Sequence, residues 1–271
     1  MRIPILALRS ATLGVLALLG ACAGPARAPS HASANVRIER VDKTFDLDRG
    51  ISRVAIDNRW GEINVRGRDE REIGIHAVVQ RLPPHFPKPV FQSHRDGNTL
   101  RIEIGFEGAE PRTGRVDIAV FLPGEIALAL RTRDSRISAK KRAGPVEAVT
   151  DSGEILVSSH DRLSLHTRSG QIRAIAIGAR WQGASEIASD SGRIILLVPT
   201  FGDVALSAET GGRLGTNYGL SVHRDAAGRS RASARYGQGT AALDVRSRTG
   251  EIVLEQLVLL GDDGRDLEDD D

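Results

Sequence analysis

A short phrase recurs along the C-terminal half of this chain, and it constrains the fold more than any other feature. The phrase is a small polar residue, one spacer, Ser or Thr, Gly, a second spacer, and Ile or Leu. A copy at Ala208–Leu214 is weaker and one residue longer, and the four well-formed copies are Thr150–Ile155, Thr167–Ile172, Ser189–Ile194 and Ser247–Ile252. Such a recurrence indicates stacked copies of one small structural unit.

The repeat glycines give the size of that unit. They are Gly153, Gly170, Gly192, Gly211 and Gly250, so the successive steps are 17, 22, 19 and 39 residues. The last step is close to two steps of about 20, and residues 126–257 have room for roughly six or seven units of that length.

Each copy reads as a strand, a tight turn and a second strand. Apolar and polar residues alternate on both sides of Asp151–Gly153, which is typical of half-buried strands. We expect the repeat glycines to be structural turn residues, with positive φ at Gly153, Gly170 and Gly192, while Asp or Ser side chains bond nearby amides. One strand pair has a single apolar face, so it becomes buried only when successive pairs stack.

The fold class is therefore all-β, in one of two forms. A single-stranded β-solenoid, similar to a β-helix, would stack the repeats as coils, whereas an antiparallel β-sandwich would use them as hairpin loops. The likeness between copies favours the solenoid over residues 36–258, because a sandwich does not need its turns to resemble each other. No stretch has a helical period, and Ile155, Ile172, Ile194 and Ile252 are expected to point inward as one apolar ladder.

The N-terminus reads as an export signal. Residues 1–21 combine two arginines with an apolar run too short to span a bilayer, as in signal peptides. Leu19–Cys22 resembles the bacterial lipobox, and Cys22 is the sole Cys of the chain. We therefore predict lipidation of Cys22 and attachment to the bacterial cell envelope, at the outer membrane and facing the periplasm or the surface.

Two segments flank the predicted domain without a core of their own. Residues 22–35 are small, polar and Pro-containing, and they read as a flexible tether after the lipidated Cys. Residues 259–271 are dominated by Asp and Glu, so we expect a solvated acidic tail that is dispensable for folding.

The repeat phrases, together with the segment Val116–Pro123, resemble a large family of exported bacterial proteins of unknown function that are labelled putative adhesins. The resemblance covers roughly residues 50–257. It implies a β-solenoid body, and the adhesin label of the family is itself an inference from that fold. The copy at Thr132–Ile137 departs from the pattern, with Arg136 where Gly is usual.

Candidate metal ligands are few. His160, Asp161 and His166 form the tightest cluster, yet a zinc site would need a further ligand. Polar residues exposed on a loop and at the end of a strand are the simpler interpretation. Residues beside the repeat turns alternate in charge, which predicts a mixed-charge ladder between layers instead of a calcium site; they are Asp151, Arg168, Asp190 and Arg248, and Glu154, Gln171, Arg193 and Glu251. We predict neither a metal nor a cofactor.

These features favour a lipid-anchored, non-enzymatic envelope protein that acts in binding, adhesion or scaffolding through a repetitive β surface. Its partners would be the membrane, through the lipid, and an envelope protein or glycan. A net charge of +2 gives no case for a nucleic-acid partner.

Two alternatives stay open. One is a glycan-active enzyme with a cleft between loops 82–98 and 178–184, in which Trp181 is either an exposed contact residue or a cover on the apolar stack. A Gly-x-Ser-x-Gly hydrolase motif is absent from the sequence. The other alternative is an envelope-stress regulatory protein.

Overall fold

The computed structural model describes residues 36–68, 72–83, 85–108, 114–178, 181, 183–199, 202–217 and 219–257. The predicted signal peptide, Cys22, the tether and the acidic tail lie outside the described residues. Within the described ranges, no helix is long and apolar enough to cross a membrane.

Strands make up the regular structure, and the described residues contain no helix. The all-β prediction is confirmed. The first eleven strands are β1 (Arg37–Asp46), β2 (Arg53–Asn58), β3 (Ile63–Gly67), β4 (Glu72–Arg81), β5 (Pro89–Asp96), β6 (Thr99–Phe106), β7 (Gly114–Leu122), β8 (Ala127–Arg131), β9 (Ile137–Arg142), β10 (Val146–Thr150) and β11 (Ile155–Ser159). The others are β12 (Leu163–Thr167), β13 (Ile172–Ala176), β14 (Gly183–Ser189), β15 (Ile194–Pro199), β16 (Val204–Thr210), β17 (Leu214–Thr216), β18 (His223–Arg224), β19 (Ser230–Arg235), β20 (Ala241–Ser247) and β21 (Ile252–Leu257).

The strands form two large mixed sheets in a sandwich-like arrangement. Sheet A has the order β1-β4-β7-β3-β9-β11-β13-β15-β21-β17, and sheet B has the order β18-β19-β16-β20-β14-β12-β10-β8-β2-β6-β5. Pairing is parallel through the middle of both sheets, as between β10 and β12 or β11 and β13. Antiparallel pairs lie at the ends of the sheets.

The chain crosses from sheet B to sheet A at each repeat phrase. In sheet A the isoleucines that end the phrases are in register, with Ile155 opposite Ile172, Ile172 opposite Ile194, and Ile194 opposite Ile252. All four are fully buried in one hydrophobic core. The predicted apolar ladder is confirmed, because β-branched side chains in register pack well between two sheets.

The final step of 39 residues is not two further units of the stack. β20 pairs with both β14 and β16, and β21 pairs with both β15 and β17. The last repeat in the sequence therefore lies inside the stack, and the repeat before it forms the end. The intervening residues include β18 and β19, which add antiparallel strands beyond β16.

The repeat glycines do not have positive φ, so that expectation is wrong. Glycines with positive φ lie elsewhere, for example at Gly97 and Gly183. The repeat glycines instead allow adjacent turns to approach closely: a Cβ at Gly170 would lie 1.9 Å from the carbonyl oxygen of Gly153, and one at Gly192 would lie 1.8 Å from that of Gly170. The repeat glycines thus form a column of closely stacked turns. Gly250 continues this column, because a Cβ there would lie 2.1 Å from the carbonyl oxygen of Gly192.

Two sequence assignments shift by one residue. In the weak copy, a Cβ at Gly212 would lie 2.6 Å from the carbonyl oxygen of Gly250, so Gly212 rather than Gly211 continues the column. In the degraded copy, the carbonyl oxygen of Ser135 lies 1.8 Å from a Cβ at Gly153. Ser135, not Arg136, therefore occupies the glycine position there.

The side chain of the first residue in each well-formed copy accepts a hydrogen bond from the backbone of the turn. The Oγ1 atoms of Thr150 and Thr167 each accept a hydrogen bond from the N–H of the glycine three residues later, at 3.0 Å. Ser189 and Ser247 do the same, at 2.8 and 2.9 Å. These hydroxyl-bearing residues are buried, so they supply the turn amide with a partner where water cannot.

Candidate binding groove

A groove crosses the outer face of sheet B near its β5 end. Its floor includes Ala55 and Ala129, which are opposite each other in the register of β2 and β8. Because these side chains are short and their neighbours are long, a channel of about 440 Å³ is left between them. The polar residues that line it are Arg53, Asp57, Thr99, Arg101, Glu103, Arg131 and Glu147.

An ion pair crosses the floor of the groove. The guanidinium of Arg53 on β2 contacts the carboxylate of Glu147 on β10, and β8 lies between these two strands. The contact is possible because Ala129 of β8, which is in register with Glu147, is too small to obstruct it. Both partners are partly exposed, so their charges remain accessible to a ligand.

Two carboxylates lie side by side further along the groove. Asp57 on β2 is in register with Glu103 on β6. Burial raises the pKa of the Asp57 carboxyl above its ordinary value, the guanidinium groups of Arg59 and Arg131 lower it, and the Glu103 carboxylate raises it. A protonated Asp57 would donate a hydrogen bond, whereas an ionised one only accepts.

The groove continues past these carboxylates to an aromatic end. A second cavity of about 610 Å³ shares Asp57 and Glu103 with the first, and it is also lined by Trp60, Gln92 and Phe106. The guanidinium carbon of Arg133 lies 4.7 Å from the centre of a Trp60 ring, which is a cation–π distance. Trp60 is therefore held beside the groove by a contact from the adjacent layer.

Trp60 belongs to a further copy of the repeat, which the pattern of the other copies does not predict. Residues 58–63 read Asn-Arg-Trp-Gly-Glu-Ile, with Asn58 in place of Thr or Ser. A Cβ at Gly61 would lie 1.9 Å from the carbonyl oxygen of Val116, the same close approach as in the other copies. The buried Asn58 amide donates to that oxygen at 2.8 Å. The Gly-Glu-Ile ending was the signal that could have revealed it.

The predicted mixed-charge ladder is present along the turns. Arg136 pairs with Glu154 at 3.0 Å, and Arg193 pairs with Glu251 at 3.0 Å. On the other side of the turn, Arg168 lies 3.5 Å from Asp151. Opposite charges on adjacent layers neutralise each other, so these carboxylates are not clustered as calcium ligands would be.

The histidine cluster has ordinary structural partners. The His160 N–H donates to the carbonyl oxygen of Arg142 at 2.9 Å, and His166 lies exposed on β12. Asp161 accepts a hydrogen bond from the N–H of Arg162. Among the residues that the structure describes, no group of three or more His, Cys, Asp or Glu side chains could hold a metal ion.

Loops 82–98 and 178–184 do not form a common cleft in their described parts. Gln92 on β5 lines the groove, but Gly183 on β14 lies six strands away in sheet B, or roughly 29 Å at about 4.8 Å per strand. Trp181 is 5% exposed and packs in the core, with Nε1 3.4 Å from the carbonyl oxygen of Ala242. The interpretation of Trp181 as an exposed contact residue is therefore wrong.

Comparison with known proteins gives only remote similarities. No protein-family model matches the chain, and no curated protein matches it. A putative cell adhesion protein from Clostridium sporogenes is similar at 15% identity, with 82% of this chain and 100% of that chain covered and a TM-score of 0.49. A putative adhesin from Parabacteroides merdae is 11% identical over 83% and 98% of the two chains, with a TM-score of 0.34. A putative adhesin from Bacteroides fragilis is 8% identical over 81% and 97%, with a TM-score of 0.26. Similarities of this size carry no argument about fold or function, so the family resemblance of the repeat phrases stays a proposal.

Proposed function

We propose that this protein is a non-enzymatic binding protein of the bacterial cell envelope that holds a polysaccharide on the outer face of sheet B. The observation that carries the proposal is the continuous groove from Arg53 and Glu147, past Asp57 and Glu103, to Trp60. A groove that runs across several strands suits an extended polymer better than a small molecule.

The side chains of the groove fit sugar chemistry. Trp60 offers an aromatic surface to the C–H face of a sugar ring, and its Nε1–H can donate. Asp57 and Glu103 can accept hydrogen bonds from adjacent hydroxyl groups, while Gln92 can both donate and accept. Arg101 adds a guanidinium that would bind a carboxylated or phosphorylated sugar.

The groove can be tested with an array of purified bacterial polysaccharides. We expect the full chain to bind at least one of them, and Trp60→Ala to weaken that binding by about tenfold or more if the ring is a main contact. Arg246→Ala, on the outer face of β20 and five strands away from β2 in sheet B, is the matched control and should bind normally. Equal binding by wild type and Trp60→Ala, with both folded by thermal melting, would place the ligand elsewhere.

We infer that the parallel strand pairs from β8 to β15 work as coils of a β-solenoid. In-register parallel pairing, the glycine column and the buried hydroxyl groups recur from one pair to the next, which supports this interpretation. A solenoid would place the outward-facing residues of successive repeats side by side, at the regular spacing of neighbouring strands. The groove would then extend across the strands, from one repeat to the next.

The lipid anchor at Cys22 completes the proposal. It rests on the lipobox-like phrase and on the use of the sole Cys in the chain. Cys22→Ser should release the protein from the membrane fraction when cells are lysed and fractionated. Quantitative retention of that variant with membranes would mean that another part of the chain is the anchor.

A glycan-cleaving enzyme is the second candidate, because one specific observation favours it. Asp57, whose pKa is raised by burial, lies beside Glu103 in the groove. Most glycoside hydrolases use two carboxyl groups in different environments as acid and base or nucleophile. The polysaccharide that binds should then release reducing ends during incubation, and Asp57→Asn should abolish the release. A ligand recovered intact would exclude this candidate.

A further inference from the structure

β1 is a long edge strand with a free side. It has ten residues, lies at the end of sheet A, and pairs on one side with β4. No other described residue pairs with its second side. The other sheet ends are shorter or blunted: β17 has three residues, β18 has two, and β5 begins with Pro89. An exposed edge of this length is a template for pairing with another strand.

Sheet A extends one strand further than sheet B at this end. β6 and β7 stack on β2 and β3, and beyond them sheet A adds β4 and β1, whereas sheet B adds only β5. The inner face of β1, opposite the buried side chains of β4, carries Glu39, Val41 and Lys43. Charged residues at these positions fit a strand that the opposite sheet does not cover.

The charges along β1 are self-complementary. In an antiparallel pair of two copies centred on Val41, Glu39 of each copy is opposite Lys43 of the other, and Arg40 is opposite Asp42. This register places residues 37–45 of one copy against the same residues of the other. Directly opposite pairs of unlike charge stabilise antiparallel strands, so all four ionic contacts across this pair would be favourable.

Neighbouring registers lack this property. A shift of the pairing by one residue brings Glu39 opposite Asp42 in one direction and Arg40 opposite Lys43 in the other. A shift by two residues brings Arg40 opposite its own copy or Asp42 opposite its own copy. Like charges directly opposite each other are destabilising, so the register centred on Val41 is selected over these four.

We propose that two copies of this chain associate through β1, as an antiparallel pair with a two-fold axis at Val41. Such an interface is isologous, because each contact from one copy is repeated from the other. It joins the two A sheets into one continuous sheet. Both B sheets then lie on the same side of it, so the two grooves face the same direction for a long polymer.

The ion pairs that β1 makes within one copy are compatible with the proposed pairing of two copies. Glu39 accepts from Arg81 at 2.7 Å, and Asp42 contacts His76. The side chains of Glu39 and Asp42 are 44% and 76% exposed, which leaves room for a second cationic partner on each carboxylate.

A single-cysteine variant tests the two-fold axis directly. In the full chain carrying Cys22→Ser, Val41→Cys introduces the sole thiol, and in the proposed pair the two copies of residue 41 are opposite each other. Opposite Cα atoms in antiparallel strands are about 4.5–5.5 Å apart, within the range of a disulfide. We expect oxidation to yield a disulfide-linked dimer in high yield.

Ile38→Cys in the same background is the matched control. Residue 38 is opposite residue 44 of the other copy, so the two thiols would be about 20 Å apart and should not link. Equal linking by both variants would indicate random collisions, and no linking by Val41→Cys would exclude the proposed axis. Either result overturns the proposal.

Charge reversal supplies an independent test. Glu39→Lys should convert the dimer to monomer in sedimentation equilibrium. The new lysine of each copy would be opposite Lys43 of the other copy, so two repulsive pairs would replace two attractive ones. The double variant Glu39→Lys with Lys43→Glu should restore the dimer with the charges exchanged. A wild-type full chain that sediments as a monomer, or a double variant that stays monomeric while melting normally, would overturn the proposal.

Discussion

The carbonyl oxygen of Gly153 lies 1.9 Å from the position that a Cβ atom of Gly170 would occupy. The same relationship joins Gly170 to Gly192 and Gly192 to Gly250, at 1.8 and 2.1 Å. Real Cβ atoms do not approach an oxygen so closely, so the strand spacing of the stack requires glycine at each of these turns. The requirement comes from the neighbouring layer and not from the φ angle of the glycine itself.

Gly170→Ala should therefore destabilise the protein, although alanine suits the φ of this position. We expect a loss of at least about 1–3 kcal/mol in the free energy of unfolding, because an added methyl group in a packed site forces backbone shifts. Gly67→Ala is the control, since nothing lies within 4 Å of a Cβ there. Urea denaturation of both variants checks the prediction, and equal midpoints would contradict it.

Thr167→Val should cost stability through one hydrogen bond. Valine has nearly the shape of threonine but leaves the buried N–H of Gly170 without the acceptor that lies 3.0 Å away. We expect a loss of about 1–3 kcal/mol, the cost of an unsatisfied buried donor. Thr167→Ser keeps the oxygen and should recover most of that loss in the same denaturation experiment. If serine and valine are equally destabilising, the methyl group matters and the hydroxyl does not.

Arg142 is a buried cation whose hydrogen bonds go to backbone oxygens. Burial lowers its pKa to about 10, and its Nη2 donates to the carbonyl oxygens of Pro123 and Ile126 at 2.8 and 3.0 Å. Arg142→Leu should lower the free energy of unfolding by about 2 kcal/mol, because two buried acceptors lose their donor while the desolvation cost of the cation is relieved.

The exposed neighbour of Arg142 gives the comparison for this prediction. Lys140→Leu should change the free energy of unfolding by less than about 0.5 kcal/mol, as is usual for surface substitutions. An Arg142→Leu variant more stable than wild type would mean that desolvation outweighs the two hydrogen bonds.

Asp57 should make stability depend on pH. An acid whose pKa is raised on folding binds more protons in the folded than in the unfolded chain, between its unfolded value near 3.8 and its higher folded value. Its contribution to stability is thus fully present below 3.8 and is lost as the pH rises through the folded pKa.

Asp57→Asn should remove this dependence. The stability of the variant relative to wild type should increase from pH 3 to pH 6, as measured by urea denaturation at closely spaced pH values. Thr99→Val, in the same groove on β6, changes a side chain without a titratable group, so it is the control and should leave the pH profile unchanged. A profile unaltered by Asp57→Asn would show that burial does not perturb this carboxyl.

Much of the fold could be predicted from the repeat phrase. Alternation on both sides of the glycine placed the strands, and the isoleucine at the end of each copy marked the buried ladder of sheet A. These features are local, because side chains alternate between the two faces of any strand. Trp60 was not connected with the repeat, since Asn58 replaces the hydroxyl that identified the other copies.

The groove could not be predicted, because its residues meet only through the order of the strands. Asp57 and Glu103 are far apart in the sequence, and they become neighbours because β6 pairs with β2. The repeat phrase also does not predict that β20 lies between β14 and β16 in sheet B, or that β21 lies between β15 and β17 in sheet A.

The sequence by itself determined the strand class, the periodic turns and the residues that face the core, since each depends on a pattern within about 20 residues. Only the tertiary structure explains why the repeat glycines are needed, because the carbonyl oxygen of Gly153, in the adjacent layer, lies where a Cβ of Gly170 would be. It also decided the order of layers and the free edge at β1, which arise from pairing between distant segments. Local pattern specifies a strand, but the choice of its neighbours is a property of the whole chain.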